Sequence, residues 1–119
     1  MRDHTQLAAF KLADALVVEI YLVTQNFPKE EMFGLKSQIR RAAVSVPSNI
    51  VEGCARNTAT EYLRFLDIAF GSLRELSYQF DLSKRLGFVD SDRCTECDQR
   101  ILETEKVLAA LIRALREPK

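Results

Sequence analysis

The sequence predicts an all-α fold, an antiparallel up-and-down four-helix bundle. Three observations carry that reading. Apolar residues recur at alternating steps of three and four over long stretches, the spacing that collects side chains on one helix face. No stretch alternates with the period of two that a strand requires. Gly and Pro together number only seven in 119 residues, so the chain is interrupted in few places and the connections are short, as an antiparallel bundle needs.

The first helix is expected over roughly Thr5 to Asn26, with Leu7, Phe10, Ala13, Val17, Ile20 and Thr24 along one stripe. Its other faces are scarcely polar, since Ala9, Leu12, Leu16, Val18 and Leu22 are also apolar. A helix apolar nearly all round is normally buried nearly all round. One helix of a lone four-helix subunit should meet water, so Leu12 and Leu16 become candidate subunit contacts.

Asn26-Phe27-Pro28 ends that segment, because proline disfavours helical geometry in the residue before it. The second helix is expected from about Phe33 to Arg56, with Leu35, Ile39, Ala42, Val46, Ile50 and Gly53 or Cys54 in its stripe. Pro47 lies inside it. An interior proline removes one hydrogen bond and crowds the carbonyl four residues earlier. The stripe runs through Pro47 with little phase slip, which predicts one helix kinked there.

Thr58 with Glu61 three residues on fits a capping box and opens the third helix, from about Ala59 to Leu86. Tyr62, Leu66, Ala69, Leu73, Leu76 and Phe80 form its seam. Leu63 and Phe70, seven apart, make a small second stripe and a second pair of candidate oligomer contacts. Gly87 is a suitable left-handed stop. Asp90 or Ser91 would cap the fourth helix, which runs to about Leu115 with Cys94, Cys97, Ile101, Thr104, Leu108, Leu111 and Leu115 in its seam. The whole chain, 1–119, reads as one domain, within the usual size of about 100–150 residues.

Composition narrows the function classes. The chain balances 17 Lys+Arg against 17 Asp+Glu, for a formal net charge of +0, which argues against a polybasic arm or an acidic tail. The segment Leu7 to Val23 carries Lys11, Asp14 and Glu19, too many charges for a membrane span. The start, Met1-Arg2-Asp3-His4, is no secretory signal. Three cysteines are an odd number for a disulfide framework. The expectation is a soluble, cytoplasmic, reduced protein.

Catalytic material is sparse. Cys94 and Cys97 share a helix face, yet zinc needs four ligands and only the distant Cys54 and His4 remain. Both cysteines sit in the seam, where free Cys behaves as a small apolar residue. His4, ahead of any helix, reads as part of a frayed, solvated terminus. No metal, cofactor or catalytic set is assigned.

Two polar patterns remain. Arg41, Ser45, Ser48, Asn49, Glu52 and Arg56 form a polar strip on the second helix, with Glu52 and Arg56 in the favourable order for an ion pair. The strip reads first as a hydrogen-bonded network supporting the backbone around Pro47. Its functional alternatives are an RNA-facing strip, or a small-molecule or catalytic site built on Arg41, Asn49 and Glu52. Basic residues are also uneven: residues 28–56 hold five cations against three carboxylates. Lys36, Arg40 and Arg41, with Lys84 and Arg85 at the end of the third helix, are the candidate phosphate contacts.

The run Phe33 to Gly53 (FGLKSQIRRAAVSVPSNIVEG) resembles the signature of the bacterial four-helix bundle family of 23S rRNA intervening-sequence proteins. Glu61 to Leu76 (EYLRFLDIAFGSLREL) looks like its second block. The resemblance covers essentially the whole chain. It implies a left-handed bundle assembled into a ring-like homopentamer. It also implies kinship with the accessory variability determinant proteins of diversity-generating retroelements, pentamers that partner a reverse transcriptase and bind nucleic acid. The expected function is a non-enzymatic homo-oligomeric binding or scaffold module. Its expected partners are further copies of itself and RNA, a ribonucleoprotein or a nucleic-acid-processing protein.

Overall fold

The computed structural model describes residues 2–118. Four helices, α1 (Ala8–Val23), α2 (Leu35–Cys54), α3 (Ala59–Arg85) and α4 (Ser91–Arg116), follow one another, with single 3-10 turns at His4–Gln6 and Lys29–Glu31. No strand occurs among the described residues. Each helix packs on its sequence neighbours and α1 closes the ring against α4. Antiparallel directions bring Arg93 near the start of α4 to Glu19 in the later half of α1, and Arg116 at the end of α4 to Asp67 near the start of α3. The bundle measures 48 × 25 × 20 Å.

The seams of α2 and α3 fall where the periodicity places them. Ile39, Ala42, Val46, Ile50 and Cys54 face Tyr62, Leu66, Ala69, Leu73, Leu76 and Phe80 across a dry core. α2 continues without a break through Pro47. Gly53 sits at a close approach of α2 to α3: a Cβ there would lie 2.9 Å from the Phe65 Cβ and 3.3 Å from the Tyr62 carbonyl.

α1 differs from expectation. Its buried residues are Ala9, Ala13, Leu16, Ile20 and Val23, whereas Leu7, Phe10 and Val17 flank the core half-buried. Ala13, Ile20 and Thr24 of the expected stripe are buried, and the buried face turns toward Ala9, Leu16 and Val23 in place of Leu7, Phe10 and Val17. Leu16, only 1% exposed, belongs to the subunit's own core and is unavailable as an oligomer contact. Leu12 is half-buried. The helix is also shorter than its apolar run. Leu7 is extended, and beyond Val23 the Thr24 Oγ1 donates to the Ile20 carbonyl at 2.7 Å.

The start of the chain is tied down rather than frayed. His4 lies edge-on to Phe10 with ring centroids 4.7 Å apart. The Arg2 amide and guanidinium donate to the Cys54 and Arg56 carbonyls, each at 3.1 Å, and the guanidinium stacks 4.1 Å from the Tyr62 ring. The last carbonyls of a helix lack intrahelical donors, and Arg2 supplies two at the end of α2.

Of the capping box only one half forms: Thr58 Oγ1 accepts from the Glu61 amide at 3.1 Å. α3 ends in a Schellman motif. Gly87 has a φ of +76°, the Phe88 amide bonds to Ser83 O and the Gly87 amide to Lys84 O. In α4 the seam Cys97, Ile101, Thr104 and Leu108 is buried. Toward its end Ile112 takes over the inward position, leaving Leu111 half-buried and Leu115 exposed. An ideal helix drifts out of phase with a repeat of 3.5 residues, and four turns are enough to move the stripe.

Candidate functional site

Between the end of α1 and the start of α2 runs an open groove of about 810 Å³. Tyr21 forms one wall, Lys36, Ser37, Arg40, Arg41, Val44 and Ser45 the other, and Met32 and Phe33 the rim. Phe33 is 91% exposed and Met32 about half exposed. Phe33 lies just before α2 in a short connection after the 3-10 turn, so no helix face draws it inward. The groove lining holds three cations and no carboxylate. Two further cavities carry both signs, Asp67 and Glu117 with Arg113 and Arg116 in one, Asp90 with Arg93 in the other.

The three cations are not equivalent. Arg40 is engaged within the fold: its Nε donates to Thr24 Oγ1 at 2.8 Å, an Nη to the Tyr21 carbonyl at 3.1 Å, and its guanidinium stacks 4.3 Å from the Tyr21 ring. It caps the end of α1 and locks it to α2, so its sequence-based role as a free phosphate contact gives way to a structural one. Lys36 and Arg41 enter no ion pair among the described residues. Lys36 stands in the first turn of α2, where the helix dipole disfavours a cation. The one carboxylate tending that end, Glu31, spends an oxygen on the Leu35 amide at 2.9 Å.

Lys84 and Arg85 do not line the groove. Lys84 is bound to Asp98 at 2.6 Å, and that hydrogen bond first of all raises its pKa; Arg85 is paired with Asp81 at 3.0 Å. The polar strip separates into three parts. Ser45 Oγ meets Ser72 Oγ at 2.8 Å across α2 and α3, and the Asn49 amide donates to both the carbonyl and the hydroxyl of Ser45. Glu52 pairs with Arg56 at 2.9 Å near the end of α2. Arg41 joins neither and lies in the groove. Arg41, Asn49 and Glu52 therefore share no common pocket, and nothing favours the small-molecule or catalytic alternative.

Leu63 and Phe70 are half-buried against the core. Phe70 borders the apolar cavity of about 440 Å³ that also touches Ala109 and Ile112, with Asp67 and Arg116 paired at its edge. Burial pushes the Cys97 thiol up to about 12 and raises that of Cys54, which keeps both protonated and unreactive at neutral pH. Cys94 is half-buried with its Sγ on the Asp90 carbonyl. No grouping of three or more metal-ligating side chains occurs among the described residues. None of the described helices is long and apolar enough to cross a membrane.

Sequence reasoning missed Tyr21, Met32, Phe33 and Val44 as parts of a surface. A signal was present: Met32-Phe33 precedes a helix whose first turn holds Lys36 and no acid, against the dipole rule.

The family model for 23S rRNA-intervening sequence proteins matches residues 5–110. Among solved structures, a protein of unknown function from the S23 ribosomal protein family of Bacteroides thetaiotaomicron is similar in fold. It has a TM-score of 0.81 at 20% identity, covering 89% of this chain and 99% of that one. Among curated proteins there is no match.

Proposed function

This chain belongs to the 23S rRNA-intervening sequence protein family, and from that premise we propose that it is a non-enzymatic, self-assembling helical bundle that acts in the cytoplasm by binding RNA or a ribonucleoprotein. The binding surface is the groove between α1 and α2. The observation that carries this reading is the charge of its lining: three cations and no carboxylate, in a chain whose net charge is +0. Nucleic-acid affinity comes mainly from Lys and Arg neutralising phosphates. Here Lys36 and Arg41 are not consumed by internal ion pairs.

Assembly into a ring-like homopentamer is what the resemblance to the 23S rRNA-intervening sequence family implies, and apolar side chains left outside the core support it. Val18 and Leu22, four residues apart on α1, are both exposed, so they share one outward face of that helix, which a second subunit would cover. A ring would repeat the groove around its circumference and multiply weak contacts.

Native mass spectrometry at micromolar concentration tests the assembly: a multiple of 13.6 kDa is expected, and a sole monomer peak would end that part of the proposal. Filter binding with a mixed-sequence RNA tests the partner. Affinity should fall on the order of tenfold between 50 and 200 mM salt if about two phosphates, one each at Lys36 and Arg41, are contacted per subunit. Lys36→Glu with Arg41→Glu should abolish retention. Unchanged retention by that double variant refutes the groove as the RNA surface.

A further inference from the structure

We propose that the α1–α2 groove recognises unpaired nucleotides, with a base stacked on the exposed ring of Phe33 and the adjoining phosphates held by Lys36 and Arg41. The inference rests on the RNA reading above and specifies the state of the RNA that the groove accepts.

A ring that is 91% exposed contributes almost nothing to the core, and leaving it in water costs apolar transfer energy. Phe33 stands at the rim of a groove whose lining charges are all positive. A partner matching both properties must be anionic and must offer flat apolar faces. A nucleic-acid duplex offers the first without the second, because its base faces are already stacked and only phosphates, sugars and groove edges reach its surface. An isolated phosphate satisfies the charges and leaves the ring bare. Lys36 and Arg41 both line the groove but arise five residues apart, about 7.5 Å along the helix axis and about 140° around it, so they form two cationic points rather than one paired clamp. Single-stranded nucleic acid meets every requirement: its bases present free faces to aromatic side chains while its backbone follows a cationic groove.

The wall opposite is rigid enough to serve. Tyr21 is held by the Arg40 stack at 4.3 Å, and Arg40 is itself anchored on Thr24 and the Tyr21 carbonyl. Arg40 thus acts as a positioning residue, shaping the wall while Lys36 and Arg41 meet the strand. Val44 and Met32 supply further apolar surface along the path.

The test is fluorescence anisotropy on the full chain with three labelled probes: a mixed-sequence 12-nucleotide RNA strand, the same strand annealed to its complement, and a glutamate-rich peptide of similar length. The single strand is expected to bind at least tenfold more tightly than the duplex. Phe33→Ala should weaken single-strand binding about thirtyfold, the middle of the range for one base–aromatic stack, and leave duplex binding within twofold. Phe33→Trp should restore it, and a 2-aminopurine placed in the strand should be quenched by the native protein and not by Phe33→Ala. Phe33 makes no core contact, so the helical circular dichroism of Phe33→Ala should match that of the native chain. Equal affinity for strand and duplex, or indifference to Phe33→Ala, overturns the stacking proposal and leaves the RNA reading standing. Absence of binding to either RNA removes both. Tighter binding of the acidic peptide than of the single strand reassigns the groove to a protein partner and overturns the proposal.

Discussion

Replacing Gly53 by alanine should destabilise the bundle, while the same replacement at Gly71 should stabilise it. Both glycines lie within helices, where glycine costs about 0.5–1 kcal/mol relative to alanine through its extra freedom in the unfolded chain. On that ground alone both substitutions would help. At Gly71 nothing stands within 4 Å of the new methyl, so the gain should be realised in full. At Gly53 the methyl would arrive 2.9 Å from the Phe65 Cβ, at least about 0.6 Å inside an optimal carbon–carbon contact. That neighbour is fixed to the α3 backbone and cannot rotate away, and Tyr62 blocks the adjacent space at 3.3 Å. The helices must part, an overpacking strain of about 1–3 kcal/mol. Offset by the propensity gain, the net loss is about 1 kcal/mol at the middle of both ranges. For a chain of this size one kcal/mol shifts Tm by about 4 °C. Gly53→Ala should therefore melt about 4–5 °C lower and Gly71→Ala about 2–4 °C higher. Thermal unfolding followed at 222 nm, with all variants at one protein concentration, decides the matter. A Gly53→Ala protein as stable as the native chain would mean that α2 and α3 are not in the close contact described.

Two further predictions concern the same scaffold. Arg40→Ala should cost about 1–2 kcal/mol through loss of two charge-assisted hydrogen bonds and a ring stack, and Arg40→Lys should recover less than half, since a point donor cannot reproduce the planar fork. Arg41→Ala should stay within about 0.5 kcal/mol of native; chemical denaturation in which the two alanine variants are equally stable would remove Arg40 from its capping role. Stability should also fall as pH rises from 9 to 12. Burial raises Cys97 from 9.0 and Tyr62 from 10.0, each to about 12, so the folded chain holds protons that the unfolded chain releases in that window. The contribution is complete below the ordinary values and is lost as pH climbs toward the raised ones. Denaturation midpoints measured across this range should decline less steeply above pH 10 in Tyr62→Phe, and an unchanged slope would refute the assignment to Tyr62.

The seams of α2 and α3 were legible because their opposite faces are polar, which leaves one phase for the apolar stripe. α1 offered two apolar phases, and the step from Val17 to Leu16 is a rotation of about 100° that periodicity alone does not resolve. Leu16 consequently looked like surface and is core. Ser45 and Asn49 stand at helical spacing and are hydrogen-bonded to each other, but Ser72, the partner of Ser45, lies on another helix and enters only through packing. His4 looked frayed because the Phe10 ring and the α2 terminus that immobilise the segment are contacts of the folded state.

The amino-acid pattern by itself determined four helices, their order, their ends within a few residues and an excess of positive charge near the start of α2. These are local properties, set by dihedral preference, hydrophobic period and capping. Tertiary packing alone decided which of two adjacent arginines is structural. Arg40 and Arg41 are indistinguishable in sequence, yet one helical step turns the first toward the open carbonyls and hydroxyl at the end of α1 and leaves the second facing solvent. The same packing left Phe33 without a core to enter, because the connection carrying it crosses the rim of the groove, outside every helix seam.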